Sequence, residues 1–91
     1  MRQVFKYRLN DPGVVTELEV RAELAPALVA EQRQQGHIWL EVAEGWPVRT
    51  RRFIVLGTGW DIPAAAKHVG SYQSAGGVFV WHVYEFHGCL A

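Results

Sequence analysis

The sequence predicts an all-β domain, mostly antiparallel, of about seven strands closing into a compact sandwich or a barrel-like meander. Three observations carry this. Apolar and polar residues alternate with a period of two through most segments. Turn-forming pairs such as Pro12-Gly13, Gly45-Trp46-Pro47 and Gly76-Gly77 divide the chain at strand-length intervals. Only one stretch, residues 22–36, reads as helical by propensity.

In order, Phe5, Tyr7 and Leu9 alternate with Lys6 and Arg8, which gives a first strand over residues 3–9 with a charged outer face. Asn10-Asp11-Pro12-Gly13 is a strong turn signal, and residues 14–20 resume the alternation, with Glu17 and Glu19 on the polar side. This predicts a hairpin in which Lys6 and Arg8 lie near Glu17 and Glu19. Residues 22–36 admit two readings. Propensity, with Pro26 in a first turn and Gly36 as a stop, favours a helix; the alternation of Leu28 and Ala30 with Val29 and Glu31 fits a strand joined through Gln35-Gly36 to the next one. Residues 37–43 form that next strand. Residues 49–56 form another, basic at its start and apolar at its end. Gly57-Thr58-Gly59-Trp60 ends it, and Asp61 is placed to cap a short turn through Pro63–Ala66. Residues 67–73 give a short strand, and Ser74–Gly77 a turn into the last. That segment, Val78–Phe86, is bulky on both alternating faces: Phe79, Trp81 and Val83 on one, Val78, Val80, Tyr84 and Phe86 on the other. It reads as the central strand, with one face in the core and the Trp81 face turned to a ligand or second subunit.

Ninety-one residues make a single domain, 1–91, with residues 87–91 reading as a disordered tail. Eleven aromatic residues supply large areas for a small core and good anchors for an interface. The formal net charge of zero gives no support for duplex nucleic acid as partner, and it offers little repulsion against self-association. One cysteine, Cys89, excludes an intrachain disulfide and fits a reducing cytoplasm. The N-terminus has no signal-peptide core, and no apolar run approaches a membrane span. A soluble cytoplasmic protein is expected.

The residues that carry chemistry are few. Gly57-Thr58-Gly59 lacks the third glycine and the long helix of a dinucleotide fingerprint, but its backbone can approach an anion closely, and Trp60 can stack on a planar group. The plainer reading is a tight turn. Arg49-Thr50-Arg51-Arg52, between Trp46 and Phe53, suits a phosphate, with solvated ion pairs as the plainer reading. His82, His87 and Cys89 do not have zinc-ligand spacing, so no metal is expected. His82 shares a face with Val80 and Tyr84 and reads as a histidine at the core's rim. Cys89 with His87 is a poor nucleophile–base pair on a tail, and Asp61 with His68 or His82 would need the fold to bring them together. No cofactor and no enzymatic activity are expected.

Laid out together, these segments resemble a family of small proteins encoded by tailed phages and prophages. The resemblance rests on Phe5-Lys6-Tyr7, on the strand end running from Arg52 to Gly57-Thr58-Gly59, on Pro63 with Val69-Gly70-Ser71-Tyr72-Gln73, and on Phe79–Glu85. The chain departs from it at Trp60, where the family has a histidine, in one extra residue before Gly57, and in continuing beyond Glu85. The resemblance implies an extended segment at residues 27–35, and so favours the strand there. It also implies expression in a bacterial host during infection. Small phage proteins of this kind often block host enzymes or defence systems, some by sequestering nucleotide signals between subunits. The expected function is therefore an accessory binding protein, acting as a homo-oligomer in keeping with its low net charge, that sequesters a nucleotide-like small molecule. Arg51 and Arg52 would hold phosphate, Thr58 and Gly59 would supply hydroxyl and backbone contacts, Trp60, Trp39 or Trp81 would stack, and His82 would line the rim. The alternatives are a protein–protein inhibitor of a host enzyme or defence complex, and a minor virion or assembly component.

Overall fold

Period-two alternation makes each run of the chain amphipathic as a strand, and two such layers must face each other to dry their apolar sides. The computed structural model describes residues 1–86 and shows this arrangement; the expected tail, residues 87–91, lies outside the described residues. One sheet has three strands in the order β1 (Arg2–Arg8), β4 (Gln35–Ala43), β3 (Leu28–Gln32). The other has four, in the order β2 (Thr16–Val20), β5 (Arg49–Gly57), β7 (Val80–Phe86), β6 (Ala66–Gln73). Every neighbouring pair is antiparallel. The fold class is all-β and sandwich-like.

The core lies between the sheets. Ile38 and Leu40 from β4 face Phe53 and Val55 from β5 and Val83 from β7, and Leu9 closes one end; all are buried. Burying a side chain of this size contributes about 1.5–3 kcal/mol, so these few residues supply much of the apolar stabilisation. Residues 28–32 form a strand, as the resemblance implied. The hairpin to β4 turns at Arg33-Gln34, both with positive φ (52° and 66°), rather than at Gln35-Gly36, which belong to β4. The two-residue turn matches the twist of the strands it joins.

The expected β1–β2 hairpin does not form. β1 pairs with β4 and β2 with β5, in different sheets. Asn10–Gly13 is a corner between the layers: the Asn10 backbone N–H donates to Thr16 Oγ1 (2.7 Å), Leu9 N–H to Gly36 O (2.9 Å), and Gly13 N–H to Val55 O (2.9 Å). Lys6 therefore meets Gln32 (2.8 Å), and Glu17 meets Arg52 (2.8 Å). Alternation sets which face of a strand is buried; it does not select the neighbour.

The last strand is internal to its sheet, as expected, but its faces are reversed. Trp81, Val83 and Glu85 pair with Gly57, Val55 and Phe53 and look into the core. His82, Tyr84 and Phe86 form the outer face. Phe79 precedes the strand and is 58% exposed. Val83 is the reason for the reversal: it is fully buried, and the pleat carries Trp81 inward with it.

Two glycines let the layers meet closely. A methyl group on Gly70 would collide with a methyl of Val29 on β3, and one on Gly36 would collide with the Tyr72 hydroxyl. Burial, with a smaller contribution from Glu31, pushes the Tyr72 phenol up to about 12, so it stays protonated. The β-branched Val29 cannot swing aside as Tyr72 can. Gly70→Ala should lower stability by about 1–3 kcal/mol, and adding Val29→Ala should recover part of the loss in equilibrium urea unfolding. No loss in the single variant would show that the layers are not in contact there.

Candidate functional site

β5 and β6 are both antiparallel to β7, so they run parallel to each other. Residues 58–65 must therefore return along the length of the sheet, from the Gly57 end to the Arg52 end, and cross β7 on the way. The inner face is filled by the other sheet, so the return lies over the outer face. This accounts for Ile54 and Leu56, which point outward on β5 yet are only 7% and 5% exposed. The crossover starts in a β-turn closed by Trp60 N–H to Gly57 O (3.1 Å), with Gly59 at φ 89°, a conformation that favours glycine. That turn sets Thr58 over β7.

There Thr58 begins a row of polar groups. Its Oγ1 lies 3.0 Å from His82 Nε2; His82 Nδ1 lies 2.9 Å from Ser71 Oγ; Ser71 Oγ lies 2.8 Å from His68 Nε2. Thr58 also donates to Val80 O (3.3 Å), and the His68 ring meets Tyr84 edge-on at 5.4 Å. His68 and Ser71 are three apart and would lie on opposite faces of a regular strand. A β-bulge between His68 and Gly70 puts both outward, opposite Tyr84 and His82. The row joins three separate segments of the chain at one place.

Beside it, at the end of the sheet, Gly57, Thr58, Trp60, Val78, Phe79, Val80 and Trp81 line a largely apolar slot of about 410 Å³. Trp60 packs edge-on to Trp81 (5.9 Å, 78°), and Phe79 lies tilted to Trp81 (5.9 Å, 32°). Trp60 covers Gly57, where a Cβ would come within 2.8 Å of the indole. Trp60 is 47% exposed, so it offers open aromatic surface with Phe79.

The structure brings Thr58, Gly59, Trp60, Trp81 and His82 together. Arg51, Arg52 and Trp39 lie elsewhere. Trp39 is on the outer face of the other sheet, near His37 (6.2 Å). Arg51 and Arg52 stand at the far end of β5, beside a groove of about 600 Å³ that Lys67 and His68 also line. Arg51 holds Glu85 through two hydrogen bonds of 2.7 Å, donates to Leu24 O (2.9 Å) and lies over the Phe53 ring. The pair is about nine-tenths buried. Arg52 is paired with Glu17, and Arg49 with Glu23. Asp61 has no hydrogen bond or ion pair to His68 or His82 among the described residues. The Cys89–His87 pair lies outside the described residues. No group of three or more His, Cys, Asp or Glu among the described residues is arranged to hold a metal ion. Sequence reasoning missed Ser71 and Phe79 as site residues. Ser71's role depends on the bulge, for which Gly70 was the one visible sign.

The molecule is thus an all-β sandwich with an aromatic slot at the Thr58 end of its four-stranded sheet and a hydroxyl–imidazole row on that sheet's outer face. The chain belongs to the family described as Domain of unknown function (DUF7352), whose model matches residues 1–88. No curated protein and no solved structure matches it. No helix among the described residues is long and apolar enough to cross a membrane.

Breaking a buried ion pair from one side leaves the other charge unpaired, at a cost of about 3–5 kcal/mol. Arg51→Met should therefore lower the unfolding free energy by about this much, and Glu85→Gln should lower it too, in equilibrium denaturation. A loss under about 1 kcal/mol would mark the pair as a surface one and return Arg51 to the ligand candidates.

Proposed function

We propose that this protein is a non-enzymatic binding protein that holds a nucleotide-like small molecule at the Thr58 end of its four-stranded sheet, where the aromatic slot meets the polar row of the outer face. The observation that carries the reading is Thr58, which lines the aromatic slot and also begins the polar row. A planar ring can stack on Trp60 and Phe79 while the polar part of the same ligand reaches His82 and Ser71. Stacking of a base on an aromatic side chain contributes about 1–3 kcal/mol, enough to anchor a ligand that the row then orients. Holding without turnover is the simpler use of this geometry. Among the described residues, the hydrogen-bond partners of both imidazoles are hydroxyls, so no carboxylate orients either ring as a base.

In the bacterial cytoplasm during infection, the setting that the phage resemblance implies, such a protein would withdraw a nucleotide defence signal. A second copy packed on the exposed rim of Val78 and Phe79 would close the slot. That rim also favours a second reading, in which Trp60, Ile62, Val78 and Phe79, all exposed and apolar, dock against a host protein.

A ligand at a hundred times its Kd adds about 2.7 kcal/mol to stability, which raises the Tm of so small a domain by on the order of ten degrees. Cyclic dinucleotides, ADP-ribose derivatives and mononucleotides form the panel. At least one should raise Tm, lose its effect in Trp60→Ala and in Phe79→Ala, and be recovered intact after denaturation. A flat response across the panel removes the reading. Capture of a host protein that is lost with Trp60→Ala would put the docking reading in its place.

A further inference from the structure

The row Thr58–His82–Ser71–His68 has more hydrogen-bonding groups than protons to share while both rings are neutral, and this determines what it presents to solvent. A neutral imidazole has one N–H and one bare nitrogen. One direction of the row satisfies every contact. His68 Nε2–H donates to Ser71, Ser71 O–H donates to His82 Nδ1, His82 Nε2–H donates to Thr58, and Thr58 O–H donates to Val80 O. Ser71 then spends its only proton inside the row. His68 Nδ1, with no partner among the described residues, is a bare acceptor.

Protonation changes both groups. When His82 takes a proton, Nδ1 becomes a donor to Ser71 Oγ, which already accepts from His68. The Ser71 proton must then point out of the row. When His68 takes a proton, its Nδ1 gains an N–H facing outward. Each proton therefore adds one positive charge and one outward donor at neighbouring positions, which is what an oxyanion requires.

We infer that this row is a proton-gated subsite for the anionic oxygens of a phosphate ester, an assignment that rests on the ligand site proposed above at the Thr58 end of the sheet. The surrounding charges agree with it. On this face, β7 contributes Tyr84; β5 contributes Arg52, paired with Glu17 of β2; β2 contributes Glu19; and the crossover carries Asp61. Lys67 precedes His68 on β6, and both line the groove in which Arg49, Arg51 and Arg52 are paired with Glu23, Glu85 and Glu17, so the charge that Lys67 brings to the His68 end of the row is not offset by an ion pair among the described residues. None of these carboxylates is hydrogen-bonded to either ring.

The test uses probes whose own charge does not change between pH 5.5 and 7.5: 3′,5′-cyclic AMP, its uncharged counterpart adenosine, and sulfate. Binding is measured by calorimetry, and the histidine rings are followed by NMR. Each ring that must carry a proton to engage the anion makes binding pH-dependent, so cyclic AMP should bind several-fold tighter at pH 5.5 than at pH 7.5. Its binding should take up protons, while adenosine binds alike at both pH values. Sulfate should shift the His68 and His82 ring signals at pH 5.5. Ser71→Ala, on an exposed position, should weaken cyclic AMP at pH 5.5 and leave adenosine unchanged. If cyclic AMP and adenosine bind equally at both pH values, the anion subsite is refuted and the aromatic site stands. Ring shifts with sulfate but no binding of either nucleotide probe would support the subsite and refute the nucleotide reading. If no probe binds and no ring signal moves, both fall.

Discussion

Strand β7 lies between two strands that run parallel to each other, and the rest of the molecule follows from that position. A strand so placed has neighbours on both sides and buries its inner face against the opposite layer. It also forces the chain leaving β5 to travel back along the sheet before it can enter β6. The return path covers Ile54 and Leu56 and sets the Gly57–Trp60 turn beside the start of β7. Thr58 reaches His82 for this topological reason. A simple meander would have joined β5 to a neighbour by a short turn and left no segment to meet the outer face of β7.

The two faces of β7 divide the labour. Val83 and Glu85 look inward, one into the apolar centre and the other to Arg51, whose guanidinium also ties the connection after β2 through Leu24 O. This is where a charge that looks available in the sequence becomes structural. A bidentate, nearly buried pair uses most of the donors that a phosphate would need. The outer face keeps its polar groups near water. Gly70 serves both faces at once: it lets β6 approach Val29 across the core, and it follows the bulge that turns His68 and Ser71 to the same side.

Much of the fold could be read directly from the residues. Alternation located six of the seven strands to within two residues, because period two follows from the pleat itself; β3, where propensity favoured a helix, was decided only by the resemblance. Strand neighbours could not be read in the same way. Lys6 and Arg8 suited Glu17 and Glu19 by charge, but the pairing energy of exposed ions is a few tenths of a kcal/mol, far below the gain from pairing β1 along its whole length with β4. The Trp81 face misled for a related reason: with bulky residues on both sides of a strand, size does not show which side is drier. Of the candidate site residues, Thr58, Gly59, Trp60, Trp81 and His82 converge because the Gly57–Trp60 turn and the start of β7 share one end of the sheet. Arg51 and Arg52 are six or more positions away along β5, and Trp39 is on the other layer.

The central claim is that ligand chemistry belongs to the Thr58 end of the four-stranded sheet, and not to the arginine groove or to the Trp39 face. Backbone amide NMR of the full chain, titrated with whichever nucleotide gives the largest thermal shift, tests this most directly. The account predicts perturbations concentrated at Thr58–Trp60, Ser71 and Phe79–His82. Perturbations confined to Arg49–Arg52 and Leu24, or to the surroundings of Trp39, would contradict it.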